Sequence, residues 1–71
     1  MKTRDKIISL RKRLGFSRYE FAEQLECTYT TIYYWEHGDR MPSFKQSFKM
    51  IELARHYGIV GVTLDWLRPD S

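Results

Sequence analysis

The residues with the most versatile chemistry in this 71-residue chain are two histidines and one cysteine, and they do not combine into a reactive site. His37, His56 and Cys27 lie at spacings that match no zinc-binding pattern. The sequence also lacks a glycine-rich phosphate loop, a nucleophile elbow and a pair of carboxylates arranged for acid–base catalysis. We therefore predict no enzyme, no metal site and no cofactor, which leaves non-covalent binding as the chemistry to explain.

Charge is unevenly distributed along the chain. Residues 1–18 contain seven Lys or Arg residues and one acidic residue, whereas residues 19–39 contain five acidic residues and no Lys or Arg. The basic segment suits contact with phosphate groups, although solvated helix surfaces give the same pattern. A single cysteine favours a reducing compartment, and no apolar stretch approaches the ~20 residues that cross a bilayer. We expect a cytoplasmic protein without a membrane partner.

Helix caps and breakers divide the first part of the chain into two helices. The first spans about residues 3–14 and ends at Gly15, which suits a left-handed cap. The second spans residues 18–25, because Ser17 and Glu20 have the spacing of a capping box. Both helices carry apolar residues at helical spacing, so we expect one side of each to face a common core.

Three further helices are predicted after this pair. Thr28 caps a helix over residues 29–36, and Ser43 caps a longer helix that ends at Gly58. Thr63 caps a short last helix. The apolar face expected for the fourth helix is formed by Phe44, Phe48, Met50, Ile51, Leu53, Ala54 and Tyr57. The last helix holds Leu64, Trp66 and Leu67 and is stopped by Pro69. The prediction is an all-α domain covering residues 1–71, with its core in about residues 4–67.

The connection between the second and third helices has the form of a helix-turn-helix. The two helices are short and separated by about three residues. Ala22 is small where the helices must approach each other, and the apolar Ile32 follows ten residues later. In such a unit the second helix can enter the major groove of DNA while the first crosses the phosphate backbone.

Ordered sequence blocks at the matching spacing surround this unit. They are Phe21-Ala22-Glu23-Gln24-Leu25, Thr28, Thr31-Ile32, Trp35-Glu36, Gly38 and Pro42-Ser43, with Leu10-Arg11 and Leu14-Gly15 before them and Val62 to Leu67 after them. Together they resemble the lambda-repressor-like, Cro/C1-type (XRE-like) helix-turn-helix proteins of bacteria and phages. The resemblance covers roughly residues 4–67 and implies a compact five-helix fold that binds double-stranded DNA. Two turn positions depart from the usual pattern: Glu26 stands where glycine is common, and Cys27 stands at an apolar position.

The resemblance implies a role for each matching residue. Base contacts are expected from the start and outer side of the third helix, with Tyr29, Thr30 and Tyr34 as the leading candidates among Thr28, Tyr29, Thr30, Tyr33 and Tyr34. Phosphate contacts are expected from Ser17, Arg18, Arg40, Ser43, the backbone amide of Phe44, and Lys45. Arg11 and Glu36 are expected to form a structural ion pair that holds the third helix. Tyr33 and Tyr34 have packing against the core or a partner as their alternative role.

The predicted function is sequence-specific binding to double-stranded DNA by a transcriptional regulator, with a small phage- or plasmid-type repressor as the specific form. The resemblance implies a homodimer on an inverted repeat. We expect its dimer surface near Trp66 and Leu67, with closure of the core as the alternative role of Trp66. The alternative function is a protein-interaction module of the antitoxin or accessory type, which would use the acidic, tyrosine-rich third helix.

Overall fold

Five helices form the part of the chain that the computed structural model describes, residues 2–68. They are α1 (Thr3–Leu14), α2 (Arg18–Gln24), α3 (Tyr29–His37), α4 (Phe44–His56) and α5 (Leu64–Leu67). Residues 2–68 contain no strand, so the predicted all-α, five-helix architecture is confirmed. None of these helices is both long enough and apolar enough to span a bilayer. The stop expected at Pro69 lies outside the described residues.

Local capping explains where the helices begin and end. The Ser17 hydroxyl accepts a hydrogen bond from the Glu20 amide, and the Glu20 carboxylate accepts one from the Ser17 amide. Ser43 and Gln46 form the same reciprocal pair at the start of α4. α1 ends at Gly15, which adopts the expected left-handed conformation with φ 76°. The predicted starts of α2 and α3 match the observed ones, and the predicted ends of α2, α3 and α4 differ by one or two residues, which is the usual uncertainty of helix ends.

The core is built from one stripe of each helix. α3 packs against α1 and α2, and α5 packs against α1 and α4. The fully or nearly fully buried apolar side chains are Ile7, Leu10, Phe21, Ala22, Leu25, Ile32, Trp35, Met50, Ala54, Val62 and Leu67. Burial of each larger side chain is worth about 1.5–3 kcal/mol, so this cluster provides most of the force that fixes α3 to the rest of the fold.

The predicted apolar face of α4 is wrong in its membership. Met50 and Ala54 are buried together with the polar Ser47, whereas Phe44 and Phe48 are 63% and 52% exposed. Tyr57 is also exposed. Residues two apart on a helix are rotated by about 200° around its axis and so point in nearly opposite directions. α4 therefore cannot bury Met50 and Phe48 on the same side. The stripe 47, 50, 54 faces the core, and two phenylalanines are left at the surface.

Leu67, which was expected at an exposed dimer surface, is buried instead. α5 docks on α1, where the Thr3 hydroxyl donates a hydrogen bond to the Leu67 carbonyl over 3.1 Å, and Leu67 is only 3% exposed. The Lys6 ammonium donates to the Arg68 carbonyl over 3.5 Å and lies 5.9 Å from the Trp66 ring centroid. Trp66 is half-buried against the core. This α1–α5 contact takes Leu67 out of the surface that the dimer was expected to use, whereas Trp66 stays partly exposed.

Candidate nucleic-acid interface

The turn between α2 and α3 holds the two helices at a fixed angle. Glu26 adopts a left-handed conformation with φ 57°, which costs a residue with a Cβ atom about 1 kcal/mol or more. The Cys27 amide donates to the Ala22 carbonyl over 2.9 Å and closes the turn. The Lys49 ammonium on α4 lies 3.3 Å from the Glu26 carboxylate. The turn therefore tolerates Glu26 where the family pattern has glycine.

α3 has two sides with different chemistry. Ile32, Trp35 and Glu36 are buried on the side that faces α1 and α2. On the opposite side Thr30, Tyr33, Tyr34 and His37 are exposed, and we call these four residues the outer stripe. Their spacing of three, four and seven residues places them on one face of the helix. The outer stripe contains three of the five residues expected to contact bases.

Contacts within and beside the outer stripe restrict its side chains. The Tyr33 and His37 rings stack with centroids 3.8 Å apart, and His37 Nδ1 lies 2.8 Å from the Tyr33 carbonyl oxygen. The Arg40 guanidinium lies 5.2 Å from the centroid of the Tyr34 ring. This cation–π contact holds the cation at the end of α3, which otherwise carries no Lys or Arg.

The remaining two expected base-contacting residues are partly occupied by contacts within the protein. The Thr28 hydroxyl accepts from the Thr31 amide over 3.3 Å and lies 3.0 Å from the Thr31 hydroxyl. Tyr29 is half-buried, and its ring stacks on Tyr19 with centroids 4.4 Å apart. Tyr19 itself is 70% exposed and is not among the residues predicted to contact DNA. The sequence signal for this residue was a tyrosine that lies outside the apolar face of α2, where an aromatic ring is left at the surface.

Glu36 connects three helices. Its side chain is 1% exposed and receives Arg11 Nε at 2.7 Å and Arg11 Nη2 at 3.3 Å, so the expected partners Arg11 and Glu36 are in contact. Arg18 Nε donates to the same carboxylate over 2.8 Å. Arg11 Nη1 also donates to the Phe16 carbonyl over 3.0 Å. α1 and the start of α2 are thereby tied to the end of α3 by one carboxylate.

This arrangement changes the position expected for Arg18. Arg18 is expected to contact phosphate from the start of α2, but its guanidinium turns toward Glu36. Hydrogen bonds with Glu36 and then Tyr29 raise the pKa of Arg18 above its ordinary value. About a third of the Arg18 side chain stays exposed, next to Ser17 and Tyr19. Any phosphate contact must therefore use the part of the guanidinium that Glu36 leaves free.

The other residues expected to contact phosphate are at the surface near the two capping boxes. Ser17 and Ser43 are exposed, and their hydroxyls already accept the capping hydrogen bonds from the backbone. The exposed residues Arg40, Phe44 and Lys45 lie in the loop before α4 and in its first turn. The free backbone amides of a helix start and a nearby arginine and lysine are groups that bind phosphate oxygens.

Most of the acidic residues between positions 19 and 39 have a partner within the protein. Glu36 holds two arginines, and Glu26 pairs with Lys49. Glu20 accepts hydrogen bonds from the Ser17 backbone amide and then its hydroxyl, and both lower the pKa of the Glu20 carboxyl. The pairing of Glu36 and Glu26 with basic side chains therefore reduces the negative charge that this segment presents to phosphate, whereas Glu20 stays ionised at the surface.

Cys27 has no partner that would make it reactive. It is half-buried against the core, and burial raises the pKa of its thiol while the nearby Lys49 lowers it by a smaller amount. Within residues 2–68, no three His, Cys, Asp or Glu side chains come together as a set of metal ligands. A groove of about 540 Å³ is lined mainly by apolar residues, including Met41, Phe44 and Leu64.

The sequence comparison agrees with this geometry. A family model described as helix-turn-helix matches residues 7–67, which is most of the chain. The chain belongs to the lambda-repressor-like, Cro/C1-type helix-turn-helix family. This is a family of DNA-binding transcription regulators that are generally not enzymes, and the chain is a DNA-binding regulator in that general sense. Searches of the curated proteins and of the solved structures give no significant match.

Proposed function

We propose that this protein is a sequence-specific repressor of phage or plasmid type that acts by occupying an operator in double-stranded DNA. The observation that carries the proposal is the outer stripe: exposed side chains at helical spacing on the helix that this fold presents to the major groove. The partnering of Glu26 and Glu36 with basic groups supports it, because these two carboxylates oppose phosphate less strongly. A repressor needs only to fill its site, which requires no catalytic group.

In the proposed complex α3 lies in the major groove and α2 crosses the backbone. The start and outer side of α3 face the bases, with Thr30 and Tyr34 as principal contacts. Tyr29 presents only the part of its ring that Tyr19 leaves free. Phosphate contacts fix the register of the protein on the duplex without reading its sequence. The groups proposed for them are Ser17, the free part of Arg18, Arg40, Ser43, the Phe44 amide and Lys45.

We propose a homodimer on an inverted repeat, with half-sites about 34–36 Å apart. Burial of Leu67 requires a change in the expected interface. The exposed Phe44, with Met41 and Leu64 beside it in the apolar groove, and the exposed Phe48 one helical turn further along α4 provide the surface for a second copy at the α4–α5 end. Sedimentation equilibrium tests this interface, because Phe48→Ser is expected to shift the population toward monomer. A population that Phe48→Ser leaves unchanged contradicts this surface. Because the proposed partner is an operator in bacterial or phage DNA, the protein would act in the bacterial cytoplasm.

Selection from random duplexes at two salt concentrations tests the function. We expect an enriched inverted repeat and an affinity that falls as salt rises, because phosphate contacts release counterions. Arg40→Ala should weaken all duplexes alike and reduce the salt slope by about one, whereas Tyr34→Ala should change which bases are preferred. Arg55→Ala is the matched control, since it lies eleven residues along α4 from Phe44, about 16 Å away.

Two results would count against the proposal. Equal affinity for all duplexes at physiological salt would show binding to phosphate alone. A partner protein that protects Tyr29, Tyr33 and Tyr34, together with no affinity for DNA, would instead favour the interaction module of the antitoxin or accessory type.

A further inference from the structure

The outer stripe lacks the groups that form paired hydrogen bonds with base edges. Guanine is read by the forked donors of Arg or by Lys, and adenine by the amide of Asn or Gln. α3 contains none of these four residue types. The nearest cation, Arg40, follows the C-terminal end of α3, whereas the N-terminal part of a recognition helix makes the base contacts. Recognition by α3 must therefore use other chemistry.

Hydroxyl groups on α3 discriminate poorly between bases. A threonine or tyrosine hydroxyl can donate or accept and rotates to suit its partner, so it suits both amino and carbonyl groups of the bases. The Thr28 hydroxyl is already engaged with Thr31. His37 is the last residue of α3, outside the N-terminal part that makes base contacts, and its Nδ1 lies 2.8 Å from the Tyr33 carbonyl oxygen. The atoms left for discrimination are apolar: the methyl group of Thr30 and the ring edges of Tyr33 and Tyr34, all exposed on the outer stripe.

Thymine is the one standard base that presents a methyl group in the major groove. We propose that the outer stripe selects its DNA through the C5-methyl groups of thymine, which pack against Thr30 and the rings of Tyr33 and Tyr34. This inference rests on the proposed DNA-binding function and names the feature of the ligand that is read. Since 5-methylcytosine carries a methyl group at the same place, the stripe recognises it in the same way.

Deoxyuridine substitution removes this methyl group and leaves the base pairing intact. Starting from the selected duplex, each thymine is replaced in turn by deoxyuridine, and affinity is measured by fluorescence anisotropy. Loss of one buried methyl group is expected to weaken binding about fourfold, which corresponds to about 0.8 kcal/mol. The effect should occur at one or two positions in each half-site. It should not change with salt, because no charge is altered. Thymines outside the selected site are the control positions.

A second arm restores the methyl group on a different base. At a sensitive position the T·A pair is replaced by C·G, which is expected to weaken binding, and then by 5-methylcytosine paired with guanine. The methylated duplex should regain about fourfold over the unmethylated one.

A mutant cycle assigns the contact to the stripe. Thr30→Ser removes the side-chain methyl group and keeps the hydroxyl, so one position should lose its preference for thymine over deoxyuridine. Tyr34→Phe removes only a hydroxyl and should keep the full preference at every position. Circular dichroism and thermal unfolding of both variants establish that the fold is retained.

The outcomes separate this inference from the proposed function. Weakened binding at specific deoxyuridine positions, with the preference at one of them abolished by Thr30→Ser, supports methyl recognition. An enriched duplex that is insensitive to deoxyuridine at all positions overturns the inference and leaves sequence-specific DNA binding in place. A protein that enriches no duplex overturns both.

Discussion

Glu36 offers the sharpest test of how α3 is held. Glu36→Gln keeps the size and shape of the side chain but removes its negative charge, so Arg11 and Arg18 lose their common partner. The Arg11 side chain is only 13% exposed and cannot easily move its charge into water. Arg18 is more than a third exposed and can turn outward. The cost of the substitution therefore comes mainly from Arg11.

The magnitude follows from this burial. Removing one partner of a buried ion pair costs about 3–5 kcal/mol. We expect about 3 kcal/mol here, the lower end of that range, because Arg11 keeps its hydrogen bond to the Phe16 carbonyl. A chain of this length has a total stability of about 4–10 kcal/mol. The midpoint of thermal unfolding should accordingly fall by about 12–24 °C.

Urea unfolding followed by tryptophan fluorescence measures the effect, since Trp35 is buried in the core and becomes exposed on unfolding. Arg11→Ala should cost about as much as Glu36→Gln. Arg18→Ala should cost much less, because Glu36 retains Arg11. Glu26→Gln is the matched control: it breaks the ion pair with Lys49 at the surface, where Glu26 is 77% exposed, and should change stability by less than about 0.5 kcal/mol.

Two results would refute this reasoning. If Glu36→Gln unfolded within about 0.5 kcal/mol of the wild type, the carboxylate would contribute no more than an exposed pair. If Arg18→Ala cost as much as Arg11→Ala, solvent exposure would not decide how the two arginines share Glu36.

Three other perturbations test local features of the fold. Glu20→Gln should remove a pH dependence of the stability. Because the pKa of Glu20 is lowered in the folded protein, its ionised cap stabilises the fold above the ordinary pKa of 4.5, and this contribution is lost as pH falls through the folded-state pKa. The difference between the thermal midpoints of the wild type and the variant should therefore change in acid. Glu26→Gly should be about 1 kcal/mol more stable than Glu26→Ala in urea titrations, because both lose the Lys49 pair and only glycine adopts φ 57° without strain. The Cys27 thiol should react with iodoacetamide more slowly in the folded protein than in urea at pH 8, because burial raises its pKa; equal rates would contradict this.

The sequence predicted the helices well because their ends depend on short-range chemistry. Capping residues such as Ser17 and Thr28 form hydrogen bonds three residues away, and Gly15 adopts its left-handed conformation locally. These signals do not depend on how the helices pack. All five helices were therefore predicted, with ends displaced by at most two residues.

Features that depend on packing were predicted less well. The apolar residues of α4 are distributed around most of the helix, so their periodicity could not decide whether Phe48 or Met50 faces the core. Leu67 is buried where α5 docks on α1, and its carbonyl accepts a hydrogen bond from Thr3, which is 64 residues away in sequence. The contact between Arg18 and Glu36 spans 18 residues, and arginine on a short helix gives no local sign that it will turn inward. The family resemblance supplied Arg11 as the partner of Glu36, but it supplied no second arginine.

The division of α3 into two sides has a consequence for how such a protein can change its target. Residues that anchor the helix, Ile32, Trp35 and Glu36, share no positions with the outer stripe. In the proposed complex, substitutions at 30, 33 and 34 would therefore alter the preferred operator while the scaffold keeps its stability. A repressor and its operator can diverge together in small steps, and an engineer can replace the stripe without redesigning the protein beneath it.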